Sequence, residues 1–118
     1  MKLTRQFAFE AAHHLPTMPP GHRCRSLHGH SYRVGVEVEG PVDPATGMVI
    51  DFGLIAEAFE PIRRQLDHSL LNDLPGLANP TTELLAVWIW QRLKPVLPSL
   101  SGLVIDETAR NRCEYHGE

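Results

Sequence analysis

The sequence predicts an α+β protein: a four-stranded antiparallel sheet with two helices on one face, in the order ββααββ. Three observations predict it. Apolar and polar residues alternate in two stretches near the N-terminus, apolar residues recur at three- and four-residue steps in two central stretches, and alternation returns near the C-terminus. Strands grouped apart from helices indicate α+β, not the interleaved α/β pattern. At 118 residues the chain has room for one core and not for two comfortable domains, so residues 1–118 are read as a single domain.

The first strand runs from Leu3 to His13, with Leu3, Arg5, Phe7, Phe9, Ala11 and His13 on one side and Thr4, Gln6, Ala8, Glu10 and Ala12 on the other. Three prolines and a glycine make Leu15 to Gly21 a loop, which leads to Cys24. Alternation resumes at His28, with His28, His30, Tyr32, Val34, Val36 and Val38 sharing a face. Gly40 to Gly47 is turn chemistry, and Asp51 can cap the next helix. Phe52, Ile55, Phe59, Ile62 and Leu66 form its buried stripe, and Pro61 predicts a kink or a new start within it. Asp67 to Asp73 reads as a polar-edged connection. Pro80, Thr81, Thr82 and Glu83 suit a second helix start, with Leu85, Trp88, Ile89, Leu93 and Val96 as its apolar face. A strand from Leu103 to Thr108 turns into a short partner from Arg112 to His116. Helices on one side leave the other sheet face and two edges to be covered, and oligomerisation is the economical solution.

Composition excludes several functions. A hydrophobic fraction of 42%, 21% charged residues and a net charge of −3 belong to an ordinary globular protein, with no basic run interleaved with aromatics. Nucleic acid is therefore not an expected partner. No apolar run approaches the ~20 residues of a membrane span, and Met1 to Gln6 lacks the apolar core of a signal peptide, so a cytoplasmic protein without a membrane partner is expected. In that compartment Cys24 and Cys113 are expected to stay reduced.

The chemistry concentrates between Cys24 and His30. His28 and His30, two apart, project from one strand face about 7 Å apart. His13 ends the apolar face of the first strand, so pairing the two strands as neighbours brings all three imidazoles together, unless a bulge reverses the parity. Three histidines without a fourth protein ligand are the donor set of a catalytic zinc site, although histidines at strand ends are as commonly satisfied polar groups. Cys24 lies four residues before His28, near enough to curl over the same site from a loop. Arg23 and Arg25 flank it and favour a thiolate nucleophile or base; the plainer alternative is an inert packed thiol. Asp67-His68 can be a carboxylate-oriented imidazole, and Glu107 stands near a strand end, where a carboxylate is usually solvated. His14, His22 and His116 read as surface residues.

Phe9-Glu10-Ala11-Ala12-His13, Cys24-x-x-x-His28-Gly29-His30, Asp51-Phe52, Leu66-Asp67-His68, Asn79-Pro80-Thr81-Thr82-Glu83, Glu107-Thr108 and Tyr115-His116-Gly117-Glu118 together resemble the 6-pyruvoyl-tetrahydropterin synthase family, in order and over nearly the whole chain. The three residues between Cys24 and His28 resemble the bacterial 6-carboxy-tetrahydropterin synthase branch of queuosine biosynthesis; the pyruvoyl-forming enzymes tend to carry a longer insertion, and a further branch has glutamate in place of the cysteine. The resemblance implies a tunnelling fold (T-fold), with trimers closing their sheets into a barrel and two trimers stacking into a homohexamer. It implies Zn2+ on His13, His28 and His30, Cys24 as proton acceptor and Asp67-His68 as a supporting relay. Glu107 would hold the pterin ring, with Thr81 and Thr82 beside it in substrate binding. The implied substrate is a small molecule, 7,8-dihydroneopterin triphosphate, with sites lying between subunits. Arg23, Arg25, Arg33 and Lys2 are candidates for its triphosphate, and the sequence does not choose among them. The rival readings are the pyruvoyl-forming lyase and, in another class, a non-catalytic barrel protein that uses zinc only to hold its strands.

Overall fold

A computed structural model describes every residue from Met1 to Glu118. The alternating N-terminal stretches form two 12-residue strands, β1 (Lys2–His13) and β2 (His28–Glu39), paired antiparallel in unbroken register from Lys2 opposite Glu39 to His13 opposite His28. Helix α1 (Phe52–Leu66) and a two-residue strand β3 (Ser69–Leu70) come next, then α2 (Thr82–Leu93), β4 (Leu100–Thr108) and β5 (Asn111–Tyr115). The sheet order is β3-β1-β2-β4-β5. β4 runs antiparallel to β2 and β5 antiparallel to β4, with irregularities at Glu37/Val38 and Asp106/Thr108.

The α+β class with both helices on one sheet face holds, whereas the expected four antiparallel strands are five strands in a mixed sheet. β3 is the addition: it pairs parallel to β1 at Ala11 and Ala12. Two residues are too few to carry an alternation, and the pairing is made by the turn before them. There the Glu10 N–H donates to Asp67 Oδ1 at 2.9 Å, and the His68 N–H donates back to the Glu10 carbonyl. His68 makes this turn at φ 57°, the left-handed region that non-glycine residues seldom occupy.

Twenty-one buried apolar residues form the core between sheet and helices, including Phe9, Tyr32, Val34, Val36 and Val38 from the strands and Ile55, Phe59, Leu85 and Ile89 from the helices. Pro61 does not end α1, which is assigned as one helix through it. Its ring lies on the exposed side, and Ile55, Phe59, Ile62 and Leu66 are buried, each contributing about 1.5–3 kcal/mol against the ~3 kcal/mol that an interior proline costs. Two residues assigned to apolar stripes are largely exposed. Phe52 lies at the first helical position of α1, and Val96 lies past the end of α2.

Asp51 caps α1 by accepting from the Gly53 N–H at 2.8 Å, and Thr81 caps α2 by accepting from the Leu84 N–H at 3.2 Å. The second cap bears on the site, because it sets Pro80, Thr81 and Thr82 against the ends of β1, β2 and β4. Cys24 and Cys113 are both free thiols, and no helix is long and apolar enough to cross a membrane.

Candidate metal centre and its cavity

The β1–β2 register decides where the histidines go. His13 stands opposite His28 and Ala11 opposite His30, so alternation puts all three imidazoles on the helix-side face. Their ring centroids form a near-equilateral triangle of 4.6, 5.0 and 5.0 Å. One ring nitrogen from each lies within 4.8 Å of the others.

Main-chain carbonyls orient two of the rings. His13 Nδ1 lies 2.9 Å from the Pro80 carbonyl and His28 Nδ1 lies 2.7 Å from the Ser26 carbonyl. A carbonyl only accepts, so both Nδ1 atoms carry a proton, and in the neutral ring Nε2 is then the atom with the free lone pair. Those Nε2 atoms face each other at 3.0 Å. Two lone pairs at that distance repel unless an electron-pair acceptor lies between them. His30 Nε2 is also buried without a hydrogen-bond partner; its nearest charged neighbour, Glu107 Oε1, is 3.6 Å away and too distant for a hydrogen bond.

Burial pushes the protonation equilibria of His13 and His30 down, further lowered at both by the neighbouring His28, so the rings favour the neutral form that ligates metals. The Tyr32 phenol, 3.3 Å from His13 Nδ1, is pushed up by burial and stays protonated. The unpartnered His30 Nε2, the carbonyl-held Nδ1 atoms of His13 and His28 and the closeness of the three ring nitrogens fit one divalent metal held by His13, His28 and His30.

Cys24 comes to this cluster from its loop. It lies in a single 3-10 turn, Arg23–Arg25, and lines a cavity of about 390 Å3 with Arg23, His28, His30, Glu107, Thr108 and Asn111. Glu107 continues the buried face of β4, two residues after Ile105, and is half-buried, not solvated as a strand-end carboxylate usually is. Thr82 donates its hydroxyl to Glu107 Oε2 at 2.7 Å. Thr81 instead uses its hydroxyl to cap α2, and a neighbouring cavity of about 550 Å3 is lined by Thr81, Thr82, Glu83 and Glu107.

Asp67 and His68 do not join this cavity within the chain. They sit at the outer edge of β1, and His68 lines a different cavity that borders His30 and includes Glu10, Ala12 and Ser31, whose side chains face away from the helices. His68 is exposed, and Asp67 Oδ2 lies 3.1 Å from its Nδ1. The Glu10 N–H and the His68 ring together hold the Asp67 carboxyl below its usual range.

Among the basic candidates, Arg23 lines the cavity of Cys24, whereas Arg33 follows Ser31 on the outward face of β2. Arg33 shares a third cavity with His30, Glu107 and Asp106. Arg25 is committed elsewhere, donating to the Pro16 and Met18 carbonyls at 3.1 and 2.7 Å. Lys2 is paired with Glu37 at the far end of β1, 11 residues from His13. Asp106, beside Glu107, accepts from Arg112 at 2.8 Å.

Several contributors had no readable signal. The Pro80 and Ser26 carbonyls are main-chain atoms, and nothing in a side-chain pattern marks them. His22 reads as a surface histidine, yet its Nδ1 accepts from the Cys24 N–H at 3.1 Å.

A polar cavity lined by His28, His30, a cysteine and a held carboxylate, with His13 buried behind it, on a two-helix, five-strand α+β scaffold, defines a T-fold protein with a candidate metal site. Residues 2–118 match the family model described as 6-pyruvoyl tetrahydropterin synthase, and the chain belongs to that family. It is 38% identical to the 6-carboxy-5,6,7,8-tetrahydropterin synthase of Synechocystis over 94% of this chain and 89% of that protein. To the human 6-pyruvoyl tetrahydrobiopterin synthase it is 36% identical over 99% of this chain and 92% of that protein. Among solved structures, the Caenorhabditis elegans 6-pyruvoyl tetrahydropterin synthase superposes with a TM-score of 0.91 at 28% identity, covering 100% of this chain and 96% of the other.

Proposed function

We propose that the protein is a zinc-dependent carbon-carbon lyase that converts 7,8-dihydroneopterin triphosphate to 6-carboxy-5,6,7,8-tetrahydropterin, releasing acetaldehyde and triphosphate, a step towards queuosine. The observation that carries the reading is the convergence of His13, His28 and His30 on one point, with His28 and His30 sharing a cavity wall with Cys24 and Glu107. The branch is supported by the likeness to the Synechocystis protein and by the three-residue spacing from Cys24 to His28.

In this mechanism Glu107 accepts the pterin 2-amino and N3–H donors in a two-oxygen fork, and the Thr82 hydroxyl fixes the carboxylate's rotation. His13, His28 and His30 would hold the zinc, which when bound supplies Lewis acidity to the side-chain hydroxyls of the substrate. Cys24, as thiolate, takes the proton released from the adjacent C–H or O–H. Arg23, which lines the cavity of His28 and His30, is the group assigned to the triphosphate. His68, oriented by Asp67, moves protons onward, and because the pair faces the other side of the sheet it serves the site of a second copy. That arrangement calls for an oligomer, which we assign as a homohexamer of two stacked trimers in the cytoplasm.

Incubation with 7,8-dihydroneopterin triphosphate tests the reading through acetaldehyde. Its appearance in proportion to triphosphate supports the carboxy-forming lyase. Triphosphate without acetaldehyde overturns that assignment in favour of a 6-pyruvoyl-tetrahydropterin synthase, the reading favoured by the likeness to the human protein. No turnover in zinc-loaded protein leaves the non-catalytic, zinc-stabilised barrel.

A further inference from the structure

The turn that carries Cys24 is tied down at both of that residue's main-chain groups. The Leu15 N–H donates to the Cys24 carbonyl at 2.8 Å, and the Cys24 N–H donates to His22 Nδ1 at 3.1 Å. Arg25 fastens the far side through the Pro16 and Met18 carbonyls. Leu15 lies two residues past the end of β1 and Ser26 two residues before the start of β2, so the turn is suspended between the strands that bear the three histidines. Of the two bonds to Cys24 itself, one depends on a side chain, the imidazole of His22.

His22 occupies the N-cap position of the turn with extended backbone, φ −71° and ψ 132°. The same device recurs in this chain. Asp43 accepts from the Ala45 N–H, Asp51 from the Gly53 N–H and Thr108 from the Arg110 N–H, each two residues on. Asp and Thr are the usual residues for that bond; histidine is not. The imidazole at residue 22 supplies the acceptor without placing a carboxylate beside the thiol, in a cavity whose facing groups are Arg23, His28, His30 and Glu107. A carboxylate there would add to Glu107 and oppose a thiolate.

We propose that His22 is a positioning residue for Cys24: its Nδ1 holds the Cys24 N–H and thereby sets the sulfur at the wall it shares with His28, His30 and Glu107. The proposal rests on the reading of Cys24 as proton acceptor. Without the cap the turn samples open conformations, and the fraction of chains with the thiol in place falls.

The test compares His22→Ala, His22→Asn and Cys24→Ala in the zinc-loaded, full-length protein. Loss of one cap shifts a local equilibrium about fivefold, so His22→Ala should lower kcat by up to about that factor, with KM for the substrate little changed. His22→Asn, whose side-chain oxygen makes the same bond, should restore it. The second readout needs no turnover: iodoacetamide should label Cys24 faster in His22→Ala than in the parent and return to the parental rate in His22→Asn, while Cys113, followed by peptide mass spectrometry, keeps its rate in all. Equal kcat in His22→Ala and parent, with Cys24→Ala inactive, overturns the proposal. So does an equal loss in the Ala and Asn variants, because the imidazole would then be doing something other than capping. Full turnover in Cys24→Ala removes the thiol from the mechanism instead, and the labelling arm still decides whether His22 holds the turn.

Discussion

Replacing Thr82 by valine removes one hydroxyl and keeps the β-branched shape, so the first turn of α2 is otherwise undisturbed. The hydroxyl donates to Glu107 Oε2 at 2.7 Å, a charge-assisted bond to a carboxylate that is 22% exposed. Bonds to charged groups contribute about 1.5–3 kcal/mol, and Glu107 keeps some access to water, which places this one near the lower figure. A loss of about 1.5 kcal/mol lowers the Tm of a chain this size by about 6 °C. The kinetic effect has the same origin. A carboxylate free to rotate meets the pterin fork only part of the time, so KM should rise about five- to tenfold. Thr81→Val is the comparison, since its hydroxyl caps α2 through the Leu84 N–H and does not touch Glu107. It should lower Tm by a similar amount at unchanged KM. Thermal unfolding and steady-state kinetics on both variants check the reasoning. A Thr82→Val protein with parental KM refutes the positioning of Glu107, whatever its Tm.

Elemental analysis of protein purified without added metal should find about one zinc per chain, and His28→Ala, which removes a ligand at the cavity mouth, should lose it with the fold intact by circular dichroism; retained zinc would refute the three-histidine site. Arg23→Ala should raise KM for the triphosphate substrate while leaving Tm in place, and Arg25→Ala should do the reverse, because Arg25 ties Pro16 and Met18. Acid should destabilise the protein through Asp67 and Asp106, held below the ordinary 3.8 by the Glu10 N–H and by Arg112 respectively. Their folded forms bind protons less readily than the unfolded chain, so the stability they lend is present above about pH 4 and is lost as pH falls through the lowered folded values. A Tm-against-pH series in which Asp106→Asn shows the same acid slope as the parent would remove Asp106 from that account.

The strands were legible because one physical fact, burial of a single sheet face, writes period-two alternation directly into β1, β2 and β4. The same alternation placed the histidines on one face, and the β1–β2 register, with no bulge between them, kept His13 opposite His28. The features that did not show have an equally physical reason. β3 is too short for any period, and its pairing comes from the Asp67-His68 turn locking onto Glu10. Pro61 reads as a break because propensity counts its lost N–H, whereas its exposed ring and the buried stripe of α1 favour continuity. Pro80, Ser26 and His22 act through a carbonyl, a carbonyl and a cap, which carry no hydrophobic signal. Pro80 to Glu83 showed as a helix start, but not that this start faces three strand ends.

The meeting of that helix start with the strand ends explains why the chemistry sits where it does. The helix-side face of each central strand is apolar for most of its length and turns polar at the same end: Phe9 and Ala11 lead to His13, Val34 and Tyr32 to His30 and His28, and Leu103 and Ile105 to Glu107. Polar side chains there are buried enough to be oriented, yet His28, His30 and Glu107 still open on a cavity. The N-terminus of α2 closes this end without filling it, using the Pro80 carbonyl for His13 and the Thr82 hydroxyl for Glu107. Asp67-His68 lies beyond the reach of that design, because the turn that carries it adds to the β1 edge and projects to the opposite face. If that pair acts in the reaction, it acts on a neighbour. Mixing inactive Cys24→Ala and His68→Ala proteins under conditions that let subunits exchange should therefore regenerate turnover, since some sites would pair an intact Cys24 with an intact His68; a mixture that stays inactive after verified exchange would confine each site to one chain and leave His68 without a catalytic part.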